Sequence, residues 1–280
     1  MALRSPTYLD SETLLAHAEY HGVNVPRQAE IVETSSRKRD AGGTVGLSGL
    51  NVRGGGGTEV EYQSSYRLEP NTKATISRVI DALQKDGLLI FPDGESPVAR
   101  DDLIEVDGLT RITTASVAGK MFYLLRRLMQ SEDLDLNDLE NLDLDSLPEF
   151  ATQLKQIYMG NELLPLPLLL ELTDSGLPQR VYVNVDPNHF IDSASASRIE
   201  GRVRIIGNIT QLIPGGDEGY LSSEEWLLHD WEHMMKRHLM VRVDSFIKEM
   251  MADLDLEFPE EDVRAYLTGP AIMINAIAIF

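Results

Sequence analysis

Cysteine is absent from the 280-residue chain, which removes disulfide frameworks, thiolate zinc sites, iron–sulfur ligation and a thiol nucleophile from consideration. Basic residues are scarce: 25 Lys and Arg stand against 45 Asp and Glu, a formal net charge of −20 at pH 7. That balance repels phosphate backbones and anionic bilayers, so a generic nucleic-acid or membrane-surface binder is disfavoured. Long apolar runs are missing too. The greasiest, Leu163–Leu172 with Pro165 and Pro167 inside it and Ala271–Phe280, fall short of the about 20 residues that cross a bilayer. The first ten residues hold no apolar stretch of the kind a secretory signal carries, so a cytoplasmic location is the expectation. What is present is a 42% hydrophobic content, enough for a folded core.

Asp10 or Ser11 is placed to cap a helix over Ser11–His21, with Gly22 at its end. Ala41–Gly57 contains eight Gly and lacks the Gly-x-x-x-x-Gly-Lys-Ser/Thr of a phosphate loop, so a mobile loop or a Gly-broken hairpin is expected. Ile76, Val79, Ile80 and Leu83 share a face of a helix over Thr72–Lys85. Leu88–Phe91 and Asp102–Val106 read as strands after it. Helix, strand, loop and strand is also the order of a winged-helix DNA reader, but Lys73, Arg78, Lys85 and Arg100 are outnumbered there by acids. A further helix is expected over Ser116–Gln130. Ser131–Glu149 then carries eight acids and no base; its Asp133-x-Asp135-x-Asn137 start imitates a calcium loop, yet Asp138 replaces the turn Gly and Leu144 the bidentate Glu. These features divide the chain into an N-terminal α+β domain (1–130) with a mobile loop at 41–57, an acidic linker (131–149) and a C-terminal α+β domain (150–280).

In the second half, Glu149–Tyr158 reads as a helix, and Val181–Val185 and Arg202–Ile213 as strands, with Gly207 marking a bulge or close packing. Ser222 and Glu225 form a capping box. The helix they open extends to Asp253, roughly 30 residues or about 45 Å. Gly269-Pro270 introduces a terminal strand apolar enough to be buried on both faces. The expected fold class is therefore α+β in two parts, the second a small mixed sheet covered by a long amphipathic helix.

Within that helix lies His229-Asp230-Trp231-Glu232-His233. His-x-x-Glu-His is the inverted zinc-peptidase pattern, in which two His four apart on one helix face ligate Zn²⁺ and the Glu activates water. Metal ligation by His229 and His233 with Glu232 as catalytic base is one reading. The other is a helix whose buried side is Trp226, Leu227, Trp231, Met234, Met235, Leu239, Val243 and Phe246, leaving both His in solvent. His17 and His21 form a second pair at the same spacing, and no spacing selects a third ligand. No Gly-x-Ser-x-Gly elbow and no dinucleotide fingerprint is present, so no cofactor is expected apart from zinc on the first reading.

Tyr8-Leu9-Asp10, the Gly-rich stretch, Asp102–Gly108, Ile205–Thr210 and the ending from Gly269-Pro270-Ala271 to Ile279 resemble an uncharacterised bacterial family, a domain of unknown function with an N-terminal Tyr-Leu-Asp motif and a C-terminal Gly-Pro-Ala strand. The resemblance implies a bacterial cytosolic protein and supplies no catalytic residue. The functional expectation is a non-catalytic binding or regulatory protein, in stress or phage response, with a protein or small-molecule partner and no nucleic acid or membrane. The alternatives are a zinc-dependent hydrolase using His229, Glu232 and His233, and a winged-helix regulator.

Overall fold

A computed structural model describes residues 5–23, 29–38, 59–68, 72–94, 96–132, 151–153, 155–156, 164–191, 199–216, 219–253 and 266–280. The acidic stretch from 133 onward and the Gly-rich Ala41–Gly57 lie outside them, as does part of the helix expected over Glu149–Tyr158. The strands are β1 (Tyr8–Leu9), β2 (Ala29–Lys38), β3 (Glu59–Leu68), β4 (Leu103–Ile112), β5 (Leu168–Thr173), β6 (Arg180–Val185), β7 (Gly201–Ile213), β8 (Tyr220–Ser222), β9 (Tyr266–Thr268) and β10 (Ala271–Ile279). The helices are α1 (Ser11–Tyr20), α2 (Thr72–Lys85), α3 (Thr114–Glu132), α4 (Glu224–Leu227), α5 (His233–Met240) and α6 (Val243–Asp253).

The chain divides into two compact units. One spans Leu15–Ala82 and contains the antiparallel hairpin of β2 and β3, paired from Ala29↔Leu68 to Lys38↔Glu59. The sequence patterns did not disclose this hairpin. The other unit joins Ser5–Leu14 to Leu83–Phe280, so its barrel takes β4 from before the acidic stretch and its remaining strands from after it.

In this second unit β7, β4, β5 and β6 lie side by side in that order, all antiparallel. A fourth strand returning beside the first of three sequential antiparallel ones is the strand order of a Greek key, here with α3 in the connection between β4 and β5. β10 then runs parallel to β6 and antiparallel to β7, closing the ring into a five-stranded barrel. β1 pairs with the end of β10 as a sixth strand outside it. Alternate residues fill the interior: Ile104 and Val106, Leu168 and Leu170, Val181 and Val183, Ile205 and Ile209, Ile272 and Ile274. The opposite phase of the same strands, with Leu169, Tyr182, Ala271 and Met273, is covered by Trp226 and Leu267.

The expected small mixed sheet under one long helix is therefore corrected. The sheet closes on itself, and the helix is three pieces. Asp230 takes a left-handed conformation, φ 60°, and Glu232 is the extended N-cap of α5. Trp231 turns inward and packs with Phe122 of α3. The pieces imitate one helix in sequence because Leu227, Trp231, Val243 and Ile247 all join the same α3 core. Met234, expected on the buried side, is exposed. The capping box is replaced by Ser223 as N-cap, with the Glu224 N–H donating to Ser222 Oγ at 3.3 Å. The winged-helix order does not produce a wing: Ile90 makes a single parallel bridge to Ile104, and β4 is a barrel strand.

Candidate functional site

The barrel has one plugged end and one open end. At the plugged end Tyr8 is buried, its ring meeting Phe190 edge-on at 5.4 Å and His189 at 5.9 Å. The backbone N–H of Asp186 donates to its hydroxyl at 3.2 Å. Burial pushes the phenol above its usual pKa, against the pull of that hydrogen bond. Asp10, as expected, caps α1 by accepting the Thr13 N–H at 2.9 Å. Its other oxygen lies 3.9 Å from His189 Nε2.

The opposite end is where β6 and β10 begin and β7 finishes. One irregularity in the pairing of β7 with β10 shapes it. Ile209 pairs with Ile274 and Gln211 with Met273, so Thr210 is an extra residue. This one-residue slip reverses the facing of the residues beyond it. Leu212 then stands directly opposite Ile272 and shares its inward side. Yet Leu212 is 41% exposed while Ile272 is buried: an inward-facing leucine is left open at this end.

An open pocket of about 610 Å³ occupies this mouth. Val98 and Leu177, both packed against the barrel core, line it together with Leu212, Ile213, Ala271 and Ile272. Gly94, Ser96, Pro97, Gln179, Pro214 and Pro270 complete the lining. No described residue of this lining is charged, in a chain where 25% of residues are. The acids nearby are spent on loop geometry. Asp93 accepts the Ser96 N–H at 2.8 Å and Asp102 the Ala99 N–H at 2.7 Å, so the 93–102 loop is shaped by local side-chain acceptors. Gly94, with φ 81°, approaches the β5–β6 loop so closely that a Cβ would stand 3.3 Å from Pro178 Cδ and 3.4 Å from the Gly176 carbonyl. A mostly apolar cavity of this size at a barrel mouth, carrying few polar groups, has the character of a small-molecule site.

Charge on the barrel's outer face is arranged differently. Glu171 of β5 accepts from Arg111 Nε at 2.9 Å through one oxygen and from Arg180 Nε and Nη2 at 3.0 and 2.8 Å through the other. Burial alone would raise this carboxyl, but hydrogen bonds from Arg180 and then Arg111 outweigh it and hold the carboxyl below its ordinary value. Arg180 also lies 5.2 Å over the Tyr182 ring. With both oxygens occupied, the triad joins β4, β5 and β6.

The sequence-predicted residues sit elsewhere. His229 is half-buried in the turn after α4, its Nε2 3.6 Å from Asp230 Oδ1. Glu232 precedes α5 and His233 opens it, both exposed. The break between α4 and α5 removes the continuous helical turn that the His-x-x-Glu-His spacing presupposes. Among the described residues no three or more His, Cys, Asp or Glu gather into a metal-binding group, and no helix is long and apolar enough to cross a membrane. Sequence reasoning gave none of Val98, Leu177, Gln179 or Leu212 a functional role; the signals near the mouth were the strand over Arg202–Ile213 and the Gly269-Pro270 that introduces the terminal strand.

No curated protein and no solved structure matches the chain. The model of a family described as a domain of unknown function, DUF6414, matches residues 3–280, and the chain belongs to that family.

Proposed function

We propose that this chain is a non-catalytic binding protein whose barrel mouth takes an uncharged small molecule, and that it serves as a regulatory component of the bacterial cytoplasm. The observation that carries the reading is the lining itself. Val98, Leu177, Leu212 and Ile272 converge on an open pocket of about 610 Å³ whose described lining contains no charged residue. Elsewhere the described chain uses its charges freely: Arg204 pairs with Glu105 and Arg202 with Asp107 on the outer face of the same barrel. A charged ligand entering the mouth would exchange hydration for apolar walls and lose affinity, whereas a neutral one gains from covering them.

Binding of the uncharged solvatochromic dye Nile red tests this. The expected result is saturable binding with blue-shifted emission, weakened about tenfold or more by Val98→Arg, which places a guanidinium in the apolar pocket. Val98 is on a loop and only half-buried, so the variant should stay folded with a cooperative unfolding transition, lowered slightly by the lost packing against the barrel core. Dye binding that is absent, or indifferent to the substitution, contradicts the proposal.

A further inference from the structure

Of the described side chains lining the mouth, Ser96 and Gln179 alone are polar. The Ser96 hydroxyl is committed to Asp93, at 3.4 Å from Oδ2. Gln179 makes no side-chain hydrogen bond among the described residues. The next residue fixes its place: the Arg180 N–H donates to the Pro270 carbonyl at 3.1 Å, pinning the start of β6 to the start of β10. Three rim positions are Pro97, Pro214 and Pro270, which have no backbone N–H to offer. The rim is thus poor in donors where Gln179 is rich, with two N–H and one carbonyl on a single planar group.

We propose that Gln179 is the specificity-determining residue of the mouth and that it selects uncharged ligands carrying an adjoining N–H and C=O, the edge shared by amides, lactams and nucleobases. A carboxamide meets such an edge with two parallel hydrogen bonds, its own N–H to the ligand carbonyl and the ligand N–H to its own oxygen. The apolar wall supplies affinity without regard to polarity, and the amide edge decides which ligand of suitable shape is held. This inference rests on the binding role proposed for the mouth, and its test separates the two.

The probes are ε-caprolactam and N-methyl-ε-caprolactam, which share ring, carbonyl and apolar body and differ in the N–H. Their dissociation constants are measured by ligand-observed NMR on the full chain. Wild type should hold the lactam about fivefold more tightly, the value of one hydrogen bond. In Gln179→Leu the preference should vanish: both probes lose the bond their carbonyl accepts from the carboxamide, the lactam loses its N–H bond as well, and the two affinities converge. Gln179 is half-buried, just before β6, so a folded variant is expected, verified by an unchanged unfolding midpoint. A preference that survives Gln179→Leu, or equal affinities in wild type, overturns the role of Gln179 and leaves the binding mouth standing. Binding of neither probe overturns both.

Discussion

Glu171 illustrates how one buried acid organises three strands. Its carboxylate takes charged hydrogen bonds from Arg111 on β4 and Arg180 on β6, so its loss would leave two half-exposed guanidiniums facing each other. Exposure of the arginines moderates the cost, and Glu171→Gln should destabilise the fold by about 1–2 kcal/mol near neutral pH. The pH dependence has a definite sign. The folded-state carboxyl is held below its ordinary value, so its stabilisation is present above about pH 4.3, where the unfolded group ionises, and is lost as pH falls through the folded value. Denaturant midpoints at about pH 5 and about pH 3 should therefore fall less steeply in Glu171→Gln than in wild type. Parallel slopes would mean that the triad is not coupled to folding.

Close approach of elements is decided by glycines. Gly119 of α3 admits the backbone of α4, since a Cβ there would collide with the Trp226 carbonyl oxygen. Trp226 is in turn tied to the barrel by its indole N–H, donated to Asn184 Oδ1 at 2.9 Å. Gly119→Ala should push α4 outward and cost about 1–3 kcal/mol, despite the better helix propensity of Ala; urea denaturation measures this, and a stabilised variant would contradict the packing. Gly207 follows the same logic in β7, where a Cβ would strike the Asn275 carbonyl. That close packing was legible in the sequence, because a glycine inside an Ile-rich strand has few other uses. So were β6, β7 and β10, where β-branched residues dominate Val181–Val185, Val203–Ile213 and Ile272–Ile279. β5 was hidden: Leu168–Leu170 and Leu172 carry no β signature, and Pro165 and Pro167 obscure its start. The three helical pieces were read as one because periodicity registers which side is apolar and is blind to a single left-handed residue such as Asp230.

On the scale of the molecule, closure was not legible. It depends on the parallel pairing of β6 with β10, Ala271↔Arg180 through Asn275↔Asn184, and a pairing so distant in sequence leaves no local pattern. The mouth inherits the same invisibility. It is built from the loop before β4, the β5–β6 loop, the end of β7 and the start of β10, and each contributes residues that alone read as ordinary apolar or turn positions. His229 and His233 drew attention because metal chemistry has a short motif, whereas an apolar pocket has none. The net charge of −20 adds a whole-chain contrast with the uncharged described lining of the mouth and disfavours the approach of anionic ligands.

The most direct measurement is a methyl NMR titration of the full chain, labelled at Ile, Leu and Val, with ε-caprolactam. Shifts concentrated on Val98, Leu177, Leu212, Ile213 and Ile272, with Leu239 of α5 and Ile247 of α6 unmoved, are the predicted result. Shifts centred on the helical side, or none at concentrations that perturb exposed methyls generally, would contradict a binding site at the barrel mouth.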